Sequence, residues 1–318
     1  MFLCFYVFML LCLYNYMNKG LLLILSTAII SGFSVFINKF GVAMNNPDIF
    51  AFAKNVVVAF LLGAAILFFK NWQEFRQLNK KQWLGAFLLG LIGGSIPFLL
   101  FFKGLALTSA AQGAFVHKTM FIFVAILAAA FLKERINKNF IIGALLLLLG
   151  NLLALKSLNF SFGLGDGLIL MAVLFWSAEN ILAKYLLRDL SGSLVAWSRM
   201  FFGAILIFVY LVFTGQTSQL LFLNFSQLGW IALTSILLFG YTLTWYNGLK
   251  YVPVSIATTI LLAGLPITTL LSAISTGKIA PQDLWSAMLL LFGVFIIILS
   301  FSRKRESTPQ LRGASSTE

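Results

Sequence analysis

Charge is what this sequence has least of: Asp, Glu, Lys and Arg make up 10% of its 318 residues, against 61% hydrophobic. A water-facing surface needs roughly 25% charged residues, so a soluble globular domain is excluded. Histidine occurs once, at His117, and cysteine twice, at Cys4 and Cys12 in one apolar stretch. That scarcity rules out a zinc cluster and a disulfide framework. It also leaves too few acid–base and nucleophilic groups for a membrane-embedded enzyme. No glycine-rich phosphate loop is present, so ATP is not expected to drive the protein and no cofactor is expected. The alternation of apolar and polar residues over ~10 positions that marks a transmembrane strand is missing as well.

What is present is a series of apolar runs of ~20 residues, each long enough to cross a ~30 Å hydrocarbon core as a helix. Polar breaks separate ten of them, near residues 20–41, 48–69, 83–103, 109–131, 139–156, 165–187, 193–213, 228–248, 254–276 and 281–301. The expected fold is an all-α membrane protein. The net charge of +13 sits in short runs between spans, not on one face with stacking aromatics, which argues for orientation in a bilayer and against nucleic acid. With the N-terminus cytoplasmic, Lys19, Lys70, Arg76, Lys80, Lys81, Lys133, Arg135, Lys138, Lys184, Arg188, Lys250 and the group from Arg303 to Arg312 all fall in cytoplasmic segments. Excess Lys and Arg marks that side, so both termini are expected in the cytoplasm, with the chain in the inner (cell) membrane.

Residues 1–18 are apolar too, but only Asn18 and Lys19 separate them from the first span, too little for a hairpin. They lack the charged start and small-residue cleavage site of a signal peptide. Two readings stand: a mis-assigned start, with translation beginning at Met17, or an interfacial leader. Residues 303–318, polar with a basic beginning, read as a disordered cytoplasmic tail.

A shift of 145 positions lays Ser31–Phe40 on Trp176–Tyr185, Lys39 on Lys184 and Lys54 on Arg199, and a shift of 144 lays Gly104-Leu105 on Gly248-Leu249. Two five-span units, residues 19–156 and 157–302, therefore follow one another. Five is odd, so the second unit enters the membrane with the opposite orientation. Such an inverted repeat places a site near the midplane between the halves, open alternately to either side. A duplicated scaffold or receptor without transport is the alternative.

Ionisable groups inside spans cost at least ~2.5–3.5 kcal/mol each on insertion scales, so each needs a partner or a wet cavity. At 1.5 Å per residue, Glu179 in the sixth span and Arg199 in the seventh lie at matching depth, ~10 Å and ~9 Å from the cytoplasmic face. They read either as a proton- or solute-responsive site or as a permanent ion pair locking two helices. Asn180 offers a hydrogen bond to a solute or to a neighbouring helix. His117 and Lys118 lie near the bilayer centre and project about 100° apart, so one of them is expected on the solute path. Lys118 is the choice, as a cation for an anionic group, with His117 the weaker candidate; Lys118→Ala is then expected to abolish solute counterflow. Lys54 lies within snorkelling reach of the outer interface and reads as structural.

Gln112, Trp176, Tyr241 and Trp245 read as pocket lining or as packing. Gly93, Gly94 and Pro97 interrupt the third span, and Gly264 with Pro266 the ninth. One helix in each half is therefore expected to bend, as a hinge or at the solute site, or to hold a fixed kink whose freed carbonyls neighbours satisfy. Inside the membrane Lys54, Lys118 and Arg199 stand against Glu179, a surplus of positive charge that points to a carboxylate-bearing solute.

The residues resemble the drug/metabolite transporter superfamily in its ten-span branch with two EamA-type domains. The resemblance is carried by GLALTSAAQGAFVHKTMFIFVAILAAAFLKERI (Gly104 to Ile136) and by GLKYVPVSIATTILLAGLPITTLLSAISTGKI (Gly248 to Ile279), and it covers roughly Lys19 to Ser302. The second stretch has Lys278 where the first has Glu134. The resemblance implies a central cavity between the halves and transport, often export, of metabolites such as amino acids, nucleobase-like compounds or drugs. A small-molecule solute and the lipid bilayer are the expected partners, with proton coupling and oligomeric state left open.

Overall fold

The computed structural model describes residues 19–68, 72–134, 137–157, 161–277 and 281–306. Residues 1–18 and 307–318, together with Lys70, Arg135 and Lys278, lie outside the described residues. The fold is all-helical. Its membrane helices are α1 (Lys19–Ala43), α2 (Pro47–Phe68), α3 (Lys80–Leu107), α4 (Ala110–Phe131), α5 (Lys138–Ser157), α6 (Leu164–Leu186), α7 (Gly192–Phe213), α8 (Phe225–Leu249), α9 (Val254–Thr276) and α10 (Pro281–Glu306). Among the described residues nine helices are long and apolar enough to cross a membrane, and Lys138–Leu153 in α5 is a shorter apolar tenth. Helix α10 runs to Glu306, past the expected boundary at 302.

Local chemistry repeats between the halves. Asn79 and Gln82 form a capping box at the start of α3, and Asn224 and Gln227, 145 positions later, form one at the start of α8. Each box satisfies two amide groups that a helix start leaves bare. At the far ends of the same helices the counterpart lysines take up bare carbonyls: Lys39 donates to Leu105 O (2.9 Å) and Ala106 O (3.1 Å), and Lys184 to Leu249 O (2.5 Å) and Val252 O (2.7 Å).

Packing follows the same symmetry. Helix α1 lies on α8 and α6 on α3, α2 packs on α7, α4 on α9 and α5 on α10. Exchanging the halves turns this set of contacts into itself, α1 on α8 becoming α6 on α3, and with five helices per half the two units are inverted. Ten crossings return the chain to the face it started from, called here the termini face. Helices α5 and α10 form an outlying pair, in close approach where Gly143 and Gly293 meet: a methyl group on Gly143 would fall 3.0 Å from Gly293 O. The other eight helices surround the centre of the molecule.

The counterparts α4 and α9 are both broken midway. Helix α4 is interrupted at Thr119, between Lys118 and Met120, and α9 by a 3-10 turn at Leu261–Gly264. The first of these breaks was not expected; Thr119 stands 145 positions before Gly264, without a glycine or proline to announce it.

At the termini face the two halves are joined by Glu134. Its carboxylate accepts from the amides of Val254 (2.8 Å) and Ser255 (3.1 Å) and from Ser255 Oγ (2.5 Å), capping the start of α9. Bonds to a charged acceptor contribute about 1.5–3 kcal/mol. Glu134→Gln, which turns one acceptor oxygen into a donor facing N–H groups, is expected to lower stability by about that amount. A thermal melt of the purified protein in detergent reads the change.

Candidate functional site

The centre of the bundle holds a cavity of about 640 Å³, part of it open to solvent. Its wall is polar at two poles and aromatic between them.

One pole is built on α1 and α2. Ser31, Ser34 and Asn38 recur on one face of α1 at helical spacing and line the cavity. Asn38 Nδ2 donates to Ser34 Oγ (3.0 Å), and Lys54 Nζ donates to Asn38 Oδ1. The Lys54 ammonium also lies over the rings of Phe50 (4.9 Å) and Phe102 (4.8 Å). It does not snorkel to the interface as its depth suggests: the side chain is 1% exposed and turned into the cavity wall. No carboxylate lies within ion-pair distance of it among the described residues. Its amino group is held by a carboxamide oxygen and two ring faces.

The other pole is built on α6, α7 and α8. Tyr246 donates to Glu179 Oε1 (2.5 Å). The Arg199 guanidinium lies over Phe98 (5.3 Å), Trp176 (6.0 Å) and Tyr246 (6.0 Å). Depth matching suggested that Glu179 and Arg199 could pair, but they do not form an ion pair within 4 Å. Glu179 is bonded to Tyr246 instead, and α3 packs against both side chains at Gly93, where a methyl group would lie 2.4 Å from Glu179 Cγ and 3.1 Å from Arg199 Nε. Arg199 Nε is buried without a hydrogen-bond partner.

Between the poles, His117 rests edge-on against Phe101 (5.5 Å) and Trp176 (5.2 Å) and lines the cavity with its Nδ1 unpartnered. Of the adjacent pair on α4 it is thus His117, not Lys118, that faces the space. Lys118 is turned through the expected 100° toward α1, where its ammonium donates to Ser31 Oγ (2.7 Å) behind the wall. Asn180 is held on both sides, donating to Trp176 O (2.8 Å) and accepting from Trp245 Nε1 (3.1 Å). Tyr241 stacks on Trp245 at 6.2 Å, and both line the cavity with Trp176 and Asn180. Gln112 sits elsewhere, at the end of α4 away from the termini face, donating to Asp166 Oδ2 (2.8 Å) and Ser161 O (3.1 Å).

The interrupted helices are pinned by neighbours. In α3 a π-helical turn spans Gly90–Ser95, and its carbonyls accept from outside: Gly93 O from Trp176 Nε1 (2.9 Å) and Gly94 O from Asn55 Nδ2 (2.6 Å). In α9 the break before Pro266 presses Gly264 on α1, where a methyl group would come within 2.5 Å of Ala28 O. Thr268 Oγ1 donates to Gly32 O (2.7 Å) just beyond. Sequence reasoning passed over Asn38, Asn55, Phe98, Phe101, Phe102 and Tyr246. The polar spacing Ser31, Ser34, Asn38 inside an apolar helix was the available signal for the first of these.

Comparison with known proteins agrees with this architecture. The model described as the EamA-like transporter family matches residues 18–156 and again 163–299. An uncharacterized transporter of Bacillus subtilis (strain 168), YyaM, is 28% identical over 83% of this chain and 90% of its own length. The riboflavin transporter ImpX of Fusobacterium nucleatum is 27% identical over 88% of this chain and 97% of its own. A solved crystal structure aligns with 89% of this chain and 99% of its own at a TM-score of 0.65 and 18% identity, a likeness of fold alone.

Proposed function

The chain belongs to the EamA-like transporter family, and from that premise we propose that it is a secondary transporter for a small carboxylate-bearing solute. The solute binds between the two five-helix units, residues 19–156 and 157–302, and rocking of one unit against the other exposes it alternately to the two sides. Both termini lie in the cytoplasm of a cell whose inner membrane the chain crosses, a placement that the Lys and Arg bias of the loops supports, and the solute moves outward.

One observation carries the reading: Lys54, fully buried in the cavity wall, has no carboxylate partner among the described residues. A buried cation is costly to maintain inside a membrane without a use for its charge. The solute's carboxylate completes it. Glu179, at the opposite pole, accepts from a neutral hydroxyl and is the site for a coupled proton. His117 and the rings of Trp176, Tyr241 and Trp245 hold the body of the solute between them.

A thermal-shift screen of purified protein against carboxylate-bearing metabolites tests the class, since a ligand at 100 times its Kd stabilises by about 2.7 kcal/mol. Hits are then measured for counterflow and for accumulation driven by a pH gradient in proteoliposomes of known orientation. Glu179→Gln is expected to retain counterflow and lose gradient-driven accumulation. A protein that neither responds to any carboxylate nor shows counterflow of one contradicts the reading.

A further inference from the structure

Helix α3 departs from α-helical geometry in one turn. The π-turn Gly90–Ser95 holds one residue more than an α-helix would, closed by the amide of Ile96 on Leu91 O. Pro97 follows and has no N–H, so Gly93 O loses the donor it would meet four residues on. The two carbonyls that accept from outside are then held by one side chain from each half: Asn55 of α2 and Trp176 of α6. Asn55 is wholly buried and is not among the residues that line the cavity. Helix α8, the counterpart of α3, is a continuous α-helix from Phe225 to Leu249. The bulge is therefore particular to the first half, and the repeat does not require it.

Immediately beyond the bulge, Phe98, Phe101 and Phe102 form much of the cavity's aromatic wall. Were the extra residue absorbed, with the start of α3 fixed, everything beyond would turn by about 100°. Each place in the wall would pass to the residue before: Phe98 to Pro97, Phe101 to Leu100, Phe102 to Phe101. Two of the three rings facing the solute would be replaced by aliphatic groups, including the ring that faces Arg199.

We propose that Asn55 is a positioning residue, which, by holding Gly94 O outside the helix's own bonding, fixes the register in which α3 presents its aromatic side chains to the cavity. Its consequence for transport rests on the function proposed above; the register itself does not, and the test separates them. In the full chain with Cys4 and Cys12 replaced by serine, His117→Cys is paired either with Phe101→Cys or with Leu100→Cys, the rings of Phe101 and His117 being 5.5 Å apart. Oxidation in the membrane, read by intact mass as loss of two maleimide adducts, is expected to join 101 to 117 and to spare 100. With Asn55→Leu the preference inverts to 100. Deleting Gly93 from that variant removes the surplus residue, leaves a plain α-turn and returns the preference to 101, a rescue that a merely structural defect would not show.

The same Asn55→Leu change is expected to raise KM for counterflow more than it lowers the maximal rate, again corrected by the Gly93 deletion. If Asn55→Leu does not accumulate as folded protein, Asn55→Ala, which removes the same donor with less bulk, is read in the same way. Continued preference for 101 in whichever Asn55 variant folds overturns the proposal. Absence of counterflow in the parent protein would count against the transport reading and leave the cross-linking result standing.

Discussion

Lys54→Met is expected to weaken solute affinity in counterflow by roughly 10–150-fold while leaving the melting temperature unchanged or higher. The two effects part because the charge is a burden on folding. Carrying a lysine inside the membrane costs about 2.5–3.5 kcal/mol on insertion scales. Methionine fills nearly the same volume between the rings of Phe50 and Phe102 without that cost. Against this stands Asn38 Oδ1, which loses its donor and costs about 1–3 kcal/mol as an unpaired buried acceptor. The sum lies near zero or on the stabilising side. A solute carboxylate, by contrast, loses a charge-assisted bond of about 1.5–3 kcal/mol, or roughly 10–150-fold in affinity. Transport and stability should therefore be measured on the same preparation. Intact counterflow in the Met variant would remove Lys54 from the solute path, and loss of folding together with transport would make it a structural cation.

That outcome also bears on what could be seen in the residues alone. The ten spans were legible because bilayer thickness sets a length and apolar runs report it directly. The inverted repeat was legible because Lys39 and Lys184 do the same work in each half, closing the ends of α3 and α8. Depth along a helix was legible as a count of residues, which set Glu179 level with Arg199 and put His117 and Lys118 near the bilayer centre. Rotation about the helix axis was not. It decides that Lys118 turns to Ser31 while His117 faces the cavity, and that Lys54 turns inward, and it depends on which neighbour each face meets. Nor could depth reveal that Gly93 would pack against both Glu179 and Arg199, because that contact requires α3 to approach α6 and α7 at a bulge. Asn55 carried no sign of its role, since the group it serves, Gly94 O, is freed by the π-turn and by nothing within α2.

The closeness of α3 to α7 gives the largest expected effect on stability. At Gly94 a methyl group would lie 2.1 Å from the carbonyl oxygen of Arg199 and 3.1 Å from Gly203 Cα. Both are backbone atoms, so no side chain can swing aside, and the helices must separate. Overpacking in a close-packed interior costs about 1–3 kcal/mol even where side chains can adjust, so Gly94→Ala is expected to reach or exceed the upper end of that range. Separation would also draw Gly94 O away from Asn55 and loosen the seam between the halves. Gly229 on α8 supplies the control, because it is exposed and has nothing within 4 Å of an added methyl group. There the intrinsic advantage of alanine in a helix, about 0.5–1 kcal/mol, is unopposed. One chemical change is thus expected to lower the melting temperature at one glycine and raise or preserve it at the other. Equal melting temperatures for the two variants would mean that α3 and α7 do not approach backbone to backbone, and the arrangement of Glu179 and Arg199 about Gly93 would fall with that contact.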